Sequence, residues 1–397
     1  MKGSLSNPPD ITQFSEELEQ YFLSLFGTDR THQLAIALSQ PGEFFFLRTN
    51  TLQTTNEQLV AQLKEENVSA TIADSELNVV ALPIRPTGPI PKHEKIVVAD
   101  KASSENLLLG SHLYRPGVIS TDRFREGDEV TVVNPRGHIV GSGIAQVDSS
   151  VLHSMKHGAV VKITHPFYDL PSLSDLDSYK KGLFYSQSLS AILVAPILNP
   201  QPGDTIIDFC AAPGGKSTHI AQLVENKCQL TAVDRSERRM KHFQSETKRL
   251  GLTCITPFVG RANEFIDQHP EVQADRILVD PPCTALGVRP KLYDETTLAR
   301  IHSTASYQRM ILESATSALR PGGILVYSTC TLTVEENEHN IQHLIDTQGF
   351  TLESQTPFIG SPGLAGSDAL KQHMQRIYPD LHDLPGYFIA KLRKPLE

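Results

Sequence analysis

Gly322-Gly323-Ile324-Leu325-Val326-Tyr327-Ser328-Thr329-Cys330-Thr331 is an apolar run that starts on paired glycines and ends on a thiol. Its length and β-branched content fit a strand buried on both faces, so Cys330 belongs where that strand leaves its sheet. A second run, Arg276-Ile277-Leu278-Val279-Asp280-Pro281-Pro282-Cys283, ends in the same way. Parallel strands would bring both cysteines to one edge. Working outward, strand-like segments at 205–208, 230–234, 255–259, 276–280, 323–328, 350–353 and 386–392 alternate with helical ones at 215–224, 236–250, 296–319 and 334–347. This alternation predicts an α/β fold with a mostly parallel, doubly wound sheet, whose ligands bind outside the carboxyl ends of the strands.

Upstream, Ile11, Phe14, Leu18, Phe22 and Leu25 recur with helical spacing, and Asp10 is the expected N-cap. A strand at 44–50, an amphipathic helix at 54–66 and a strand at 77–82 complete a small α+β unit, similar to an RRM. Pro83, Pro86, Pro89 and Pro91 with Gly88 interrupt both helix and strand, so a boundary is placed there. Short strands with glycine turns follow, the pattern of a small β-barrel. With Gly110-Ser111-His112-Leu113-Tyr114-Arg115-Pro116-Gly117 and Gly127-Asp128-Glu129-Val130, this stretch resembles a PUA domain, an RNA-binding module. Lys101, Arg115, Arg123 and Arg125 are its candidate RNA contacts, against the ordinary alternative of solvated surface charge.

The 397 residues exceed one ordinary core, and 39% hydrophobic with 20% charged residues reads as globular. No apolar run is long enough to span a bilayer, and Met1–Pro9 lack the apolar core of a signal peptide, so a cytoplasmic protein is expected. A net charge of −9 argues against nucleic-acid binding by bulk charge and leaves recognition of a structured RNA through shape, loops and ends. Cys210, Cys228, Cys254, Cys283 and Cys330 are odd in number and lack Cys-x-x-Cys spacing, which disfavours a disulfide framework or a structural zinc.

The chemistry gathers at the strand ends. Asp208-Phe209-Cys210-Ala211-Ala212-Pro213-Gly214-Gly215-Lys216-Ser217 joins a strand to a helix through small residues that let a ligand approach the backbone. Gly215-Lys216-Ser217 invites a phosphate-loop reading, but Cys210 stands where that motif needs glycine. Asp234 ends the next strand, where a carboxylate suits the ribose diol of a dinucleotide or of S-adenosylmethionine; a helix cap is its ordinary alternative.

Taken together, Asp208 to Ser217, Asp280-Pro281-Pro282-Cys283-Thr284 and Ser328-Thr329-Cys330 resemble the RsmB/Sun-type (NSUN) RNA cytosine-5 methyltransferases. The likeness extends from Gln187 to Gln375-Arg376-Ile377 and Gly386-Tyr387-Phe388-Ile389. The PUA-like segment points to the subgroup acting on the tRNA acceptor end. The resemblance implies a Rossmann-like methyltransferase domain with a seven-stranded, mostly parallel sheet over 169–397. A PUA-like domain over 94–168 and an N-terminal unit over 1–93, continuing into the methyltransferase, complete the expected organisation.

The resemblance further implies S-adenosylmethionine as cofactor, with Cys330 as nucleophile and Cys283 assisting product release. Asp280 would hold the cytosine edge, and Lys216 would pair with Asp280 or lower a thiol pKa. Cofactor contacts carry over onto Ala211, Ala212, Pro213, Gly214, Gly215, Lys216 and Asp280, with Asp234 and Arg235 at the ribose and adenine end. Where the family shows an acid near the adenine this chain has Arg261-Ala262-Asn263, so either Asn263 or Glu264 substitutes or the pocket is built differently. Arg289, Tyr307 and Arg309 look like RNA-facing residues of the subgroup, surface charge being the alternative.

The implied substrate is the cytosine at nucleotide 72 of tRNA, beside the CCA tail, met by a monomer that needs no metal. The rivals are an rRNA or other-site tRNA cytosine methyltransferase, a non-catalytic RNA-binding assembly factor, and a DNA cytosine methylase. The last would use Cys283, since those enzymes place their nucleophile after proline.

Overall fold

The computed structural model describes residues 6–8 and 10–396, so most of the segment weighed as a targeting signal lies outside the described residues. The carboxyl-terminal half builds a nine-stranded sheet. In chain order its main elements are β1 (Thr205–Phe209), α1 (Gly215–Leu223), β2 (Gln229–Asp234), α2 (Glu237–Arg249), β3 (Ile255–Val259), α3 (Ala262–Gln268), β4 (Ala274–Val279), α4 (Leu298–Ser317), β5 (Leu319–Thr329), α5 (Glu338–Gln348), β6 (Met374–Ile377) and β7 (Tyr387–Arg393). Spatially the order is β3-β2-β1-β4-β5-β7-β6, followed by the short strand Ser361–Pro362. Strands β3 to β5 pair in parallel, whereas β7 and β6 are antiparallel.

Two details differ from expectation. Residues 351–352 contribute only a short strand beside β7, and the seventh main strand is Met374–Ile377. The latter carries Gln375 and Arg376 inside the fold, a polar pair that hides its strand character. The helix Ala262–Gln268 also went unforeseen, being short and polar.

The apolar strands are continuous in sequence because both faces are covered. Along β5, Leu325 and Tyr327 join a core with Ile207, Phe209 and Leu312 of α4. Their neighbours Ile324 and Val326 join another with Ile206, Ile220 and Val194. Each such buried side chain contributes about 2 kcal/mol. A charge at Val326 would therefore break the layer that aims Cys330.

Helix α4 starts at Thr297, whose hydroxyl accepts from Arg300 N. The first helix of the chain is Glu16–Phe26 with Ser15 as its cap, and Asp10 is not its N-cap. Gln13–Phe14 are drawn instead into a strand pair with Tyr293–Asp294. The N-terminal sheet, with Phe44–Thr49 between neighbours, takes one edge from Phe184–Ser186, beyond the barrel in sequence.

The barrel orders Leu113–Tyr114, Ala159–His165, Ile139–Ala145, Glu129–Val133, Lys95–Ala99 and Val118–Thr121 in one sheet. Its core of Val97, Val130, Val132 and Val161 also takes in Leu292 and Tyr293, from the loop that follows Cys283. Barrel and catalytic sheet are thus tied through one segment. Among the described residues, no helix is long and apolar enough to cross a membrane.

Candidate active site

Parallel pairing sets Val279 of β4 opposite Tyr327 of β5, so the chain leaves both strands at the same edge. Just beyond, the sulfurs of Cys283 and Cys330 lie 3.3 Å apart. The two loops are held together by Gly287 N donating to Cys330 O at 3.0 Å and Gly386 N donating to Gly287 O at 2.7 Å. A Cβ on Gly287 would come within 2.4 Å of Gly386 O, so only glycine lets these loops close.

The thiols differ in surroundings. The contact with Cys330, then burial, holds Cys283 well above the ordinary thiol range, and the nearby Glu336 carboxylate adds to this. The S–H of Cys283 draws Cys330 down against burial and Asp280, with help from the Lys216 and Lys291 ammoniums.

Lys216 Nζ lies 2.6 Å from Asp280 Oδ2. The other Asp280 oxygen accepts from Ser328 Oγ at 2.9 Å and Tyr387 OH at 3.3 Å. Burial alone would depress the Lys216 ammonium, but Asp280 and Tyr387 outweigh it and hold the group above its usual value. The carboxylate is thereby fixed in orientation and Lys216 stays charged beside the thiols.

Strand β1 feeds a tight loop in which Cys210 has φ 68° and Gly214 φ 115°. A Cβ at Gly214 would meet Phe243 at 2.6 Å, and one at Gly215 would meet Tyr185 at 3.2 Å. Asp208 sits beneath, accepting from Ser217 Oγ while its Oδ1 is buried with no partner. Burial raises this carboxyl to about 7 despite the Ser217 hydrogen bond.

The adjoining cavity is lined by Phe209, Asp234, Arg235, Arg261, Tyr307 and Ile311 among others. Its apolar and aromatic walls with a carboxylate among them are the kind of lining that takes a nucleoside. Ala211 and Ala212 are buried in the loop, and Pro213 and Gly214 turn it toward Lys216. Asp234 is engaged as well: Oδ2 accepts from Ala212 N at 3.2 Å and lies 3.3 Å from Arg239, and Oδ1 accepts from Ser236 N.

Asn263 is exposed and outside this lining, because α3 begins at Ala262 and turns it outward. Glu264 is occupied as a cap acceptor for Arg261 N at 2.8 Å. Arg261, Ala262 and Tyr307 line the cavity where the family's acid was expected.

The residues read as RNA-facing separate into groups. Arg123 and Arg125 are exposed on the barrel. Arg115 is bound to its own domain, Nε donating to Leu152 O at 2.7 Å. Lys101 pairs with Glu105 at 2.9 Å and lies 3.9 Å from Asp294, joining barrel to catalytic domain.

Arg289 pairs with Asp383 at 2.8 Å and lines a cleft of ≈ 260 Å³ that opens onto Cys330 and includes Phe45, Gln187, Val288 and Tyr387. Tyr307 lines the cavity beside Asp234, and Arg309 Nε donates to Asn340 Oδ1 at 2.8 Å inside a helix–helix contact. Which side of α4 faces the sheet decides these last two placements, and sequence periodicity left that open.

Arg48, Arg239, Glu336 and Tyr387 were missed as site residues. Arg48 is 1% exposed, with Nη1 donating to Gln187 Oε1 at 2.5 Å and Gly215 O at 2.6 Å, and Nη2 to Thr218 Oγ1 at 2.9 Å. A lone Arg inside Phe44-Phe45-Phe46-Leu47-Arg48-Thr49 was the available signal.

Comparison with known proteins agrees with this geometry. Residues 195–393 match the family described as 16S rRNA methyltransferase RsmB/F, and residues 94–167 match the PUA domain. A tRNA (cytosine(72)-C(5))-methyltransferase of Pyrococcus horikoshii is 42% identical over 97% of this chain and 98% of its own. The mouse tRNA (cytosine(72)-C(5))-methyltransferase NSUN6 is 32% identical over 88% of this chain and 81% of its own. The crystal structure of NSun6 from Pyrococcus horikoshii with SFG superposes with a TM-score of 0.85 at 41% identity, covering 97% of this chain and 99% of that one. The chain therefore belongs to the RsmB/F methyltransferase family and carries a PUA domain within the same polypeptide.

Proposed function

We propose that this chain is an S-adenosylmethionine-dependent tRNA cytosine-5 methyltransferase that modifies the acceptor-end cytosine at nucleotide 72, next to CCA. The observation that carries the reading is the thiol pair at 3.3 Å beside the Lys216–Asp280 pair, with Cys330 open to one cleft and the loop of Cys210 to another. The Pyrococcus horikoshii and mouse relatives, at 42% and 32% identity, bear that activity in their names, which supports the choice of tRNA over rRNA.

C5 of cytosine is too weak a nucleophile to take a methyl group unaided. The Cys330 thiolate adds to C6, and the electrons of the C5–C6 bond move to make C5 nucleophilic. The cofactor, when bound, supplies an electrophilic sulfonium methyl. Asp280, fixed by Lys216, Ser328 and Tyr387, is placed to bind the N3 and amino edge of the base and stabilise the adduct. After methylation C5 loses its proton, the electron pair restores the C5–C6 double bond, and the Cys330 sulfur departs as thiolate. Cys283, in contact with that sulfur, assists the departure.

Ala211, Ala212, Pro213, Gly214, Gly215 and Lys216 would hold the cofactor's amino-acid end, with Asp234 and Arg235 at the ribose. In the domain division we adopt, 94–168 orients the acceptor stem and CCA end through Arg123 and Arg125, 169–397 performs the transfer, and 1–93 packs against it. The reading carries a cytoplasmic monomer whose chemistry requires no metal.

The test is transfer of labelled methyl to tRNA transcripts. Label is expected on a transcript with cytosine at 72, and is lost when that base is uridine or CCA is removed. Equal labelling of the uridine variant, or transfer to rRNA alone, overturns the assignment.

A further inference from the structure

Glu336 is 0% exposed and forms no ion pair among the described residues. Burying a carboxylate without a cation costs several kcal/mol unless hydrogen bonds compensate. Here the donors come from the segments behind the two thiols. Thr284, next to Cys283, gives its backbone N to Oε2 at 3.0 Å and its hydroxyl to Oε1. Thr331, next to Cys330, reaches Oε1 at 3.5 Å, and Thr333 donates to the same oxygen at 3.0 Å. The hydroxyls of Thr284 and Thr331 also meet at 2.7 Å. From α4, Gln308 Nε2 donates to Oε2 at 2.9 Å and to the carbonyl of Pro282, just before Cys283, at 3.0 Å.

The charges around the pair are arranged unevenly. Asp280, Lys216 and Lys291 act on the charge of Cys330, whereas the Glu336 carboxylate acts on Cys283; Asp280 itself is held by Lys216 and Tyr387. The remaining titratable group packed here, Tyr327, donates its hydroxyl to Glu336 O at 2.6 Å. Neutral glutamine would satisfy similar geometry without the desolvation cost, so the negative charge itself calls for a role.

We propose that Glu336 is a positioning residue for the thiol pair: it fixes the loops behind both cysteines and keeps the pair's proton on Cys283, leaving the thiolate on Cys330. The inference rests on the reading of Cys330 as nucleophile under the proposed function.

The test uses the full-length protein without RNA. Each cysteine is alkylated with iodoacetamide across a pH series, and Cys283 and Cys330 are read separately by peptide mass spectrometry. In the parent protein Cys330 reacts at lower pH than Cys283. Glu336→Gln is expected to raise Cys283 alkylation severalfold at neutral pH and narrow the gap, and Glu336→Asp to restore the parent order. Thr284→Val keeps the charge, so it should preserve the order while lowering kcat more than it changes KM for RNA. If Glu336→Gln fails to fold, the Glu336→Asp and Thr284→Val profiles decide.

Unchanged profiles in a folded Glu336→Gln, a reversed order in Thr284→Val, or earlier alkylation of Cys283 in the parent overturns the inference. Failure of the tRNA assignment would look different: no methyl transfer to tRNA, with the alkylation order intact.

Discussion

Cys283 and Cys330 are 47 positions apart in the chain, yet their sulfurs stand 3.3 Å from each other at the ends of neighbouring parallel strands. At that distance the two thiols share a hydrogen bond, and the proposed reaction gives them unequal tasks. With RNA carrying 5-fluorocytosine at the target, Cys330→Ala should form no covalent adduct. Cys283→Ala should retain the adduct and accumulate it on normal RNA, because release fails. Denaturing gels read both, and adduct formation by Cys330→Ala would reverse the assignment.

Lys216 pairs with Asp280 and stays charged next to Cys330. A cation favours the thiolate, so Lys216→Met should move the pH profile of adduct formation to higher pH. At pH 7 the trapping rate should fall at least about tenfold. A profile unmoved in pH, whatever its height, would mean that Lys216 serves the cofactor loop alone.

Arg48 reaches from the N-terminal unit to the first turn of the cofactor helix, bonding Gly215 O and Thr218 Oγ1. Removing its donors leaves buried acceptors at Gln187 and Gln222 unpaired as well. Arg48→Met should lower the unfolding free energy on the order of 3 kcal/mol in urea and raise KM for S-adenosylmethionine. Arg48→Lys should recover little, since one ammonium cannot span these acceptors. An unchanged denaturation midpoint would contradict this account.

Asp208 is 1% exposed and its carboxyl is raised by burial from 3.8 to about 7. The folded protein therefore binds more protons than the unfolded chain between those values, and this group's contribution to stability declines as pH rises from about 4 to about 7. Asp208→Asn removes that penalty. Its stability relative to the parent should grow over this window by at most on the order of 4 kcal/mol. Thermal melts at pH 5 and pH 8 check it; a constant difference between the two proteins would refute it.

The sequence by itself determined the alternation of strands and helices and the strand ends at which Cys283, Cys330, Asp280 and Asp234 lie. Those features are local: an apolar run of set length, a glycine or proline turn, a polar residue after it. It also marked the barrel's short strands and turns, because turn residues act through their own backbone angles.

Only the tertiary structure decided that Tyr387 bonds Asp280 across 107 positions, that Arg48 braces Thr218 across 170, and that Glu336 joins the loops behind the thiols. It likewise turned Tyr307 into the cavity beside Asp234, bound Arg309 to Asn340 and exposed Asn263. A helix in sequence has a periodicity but no fixed rotation against its sheet, and a polar residue has no partner until distant segments pack. Strand ends are written in short runs of residues, whereas the partners that give a thiol or carboxylate its charge state are set by packing.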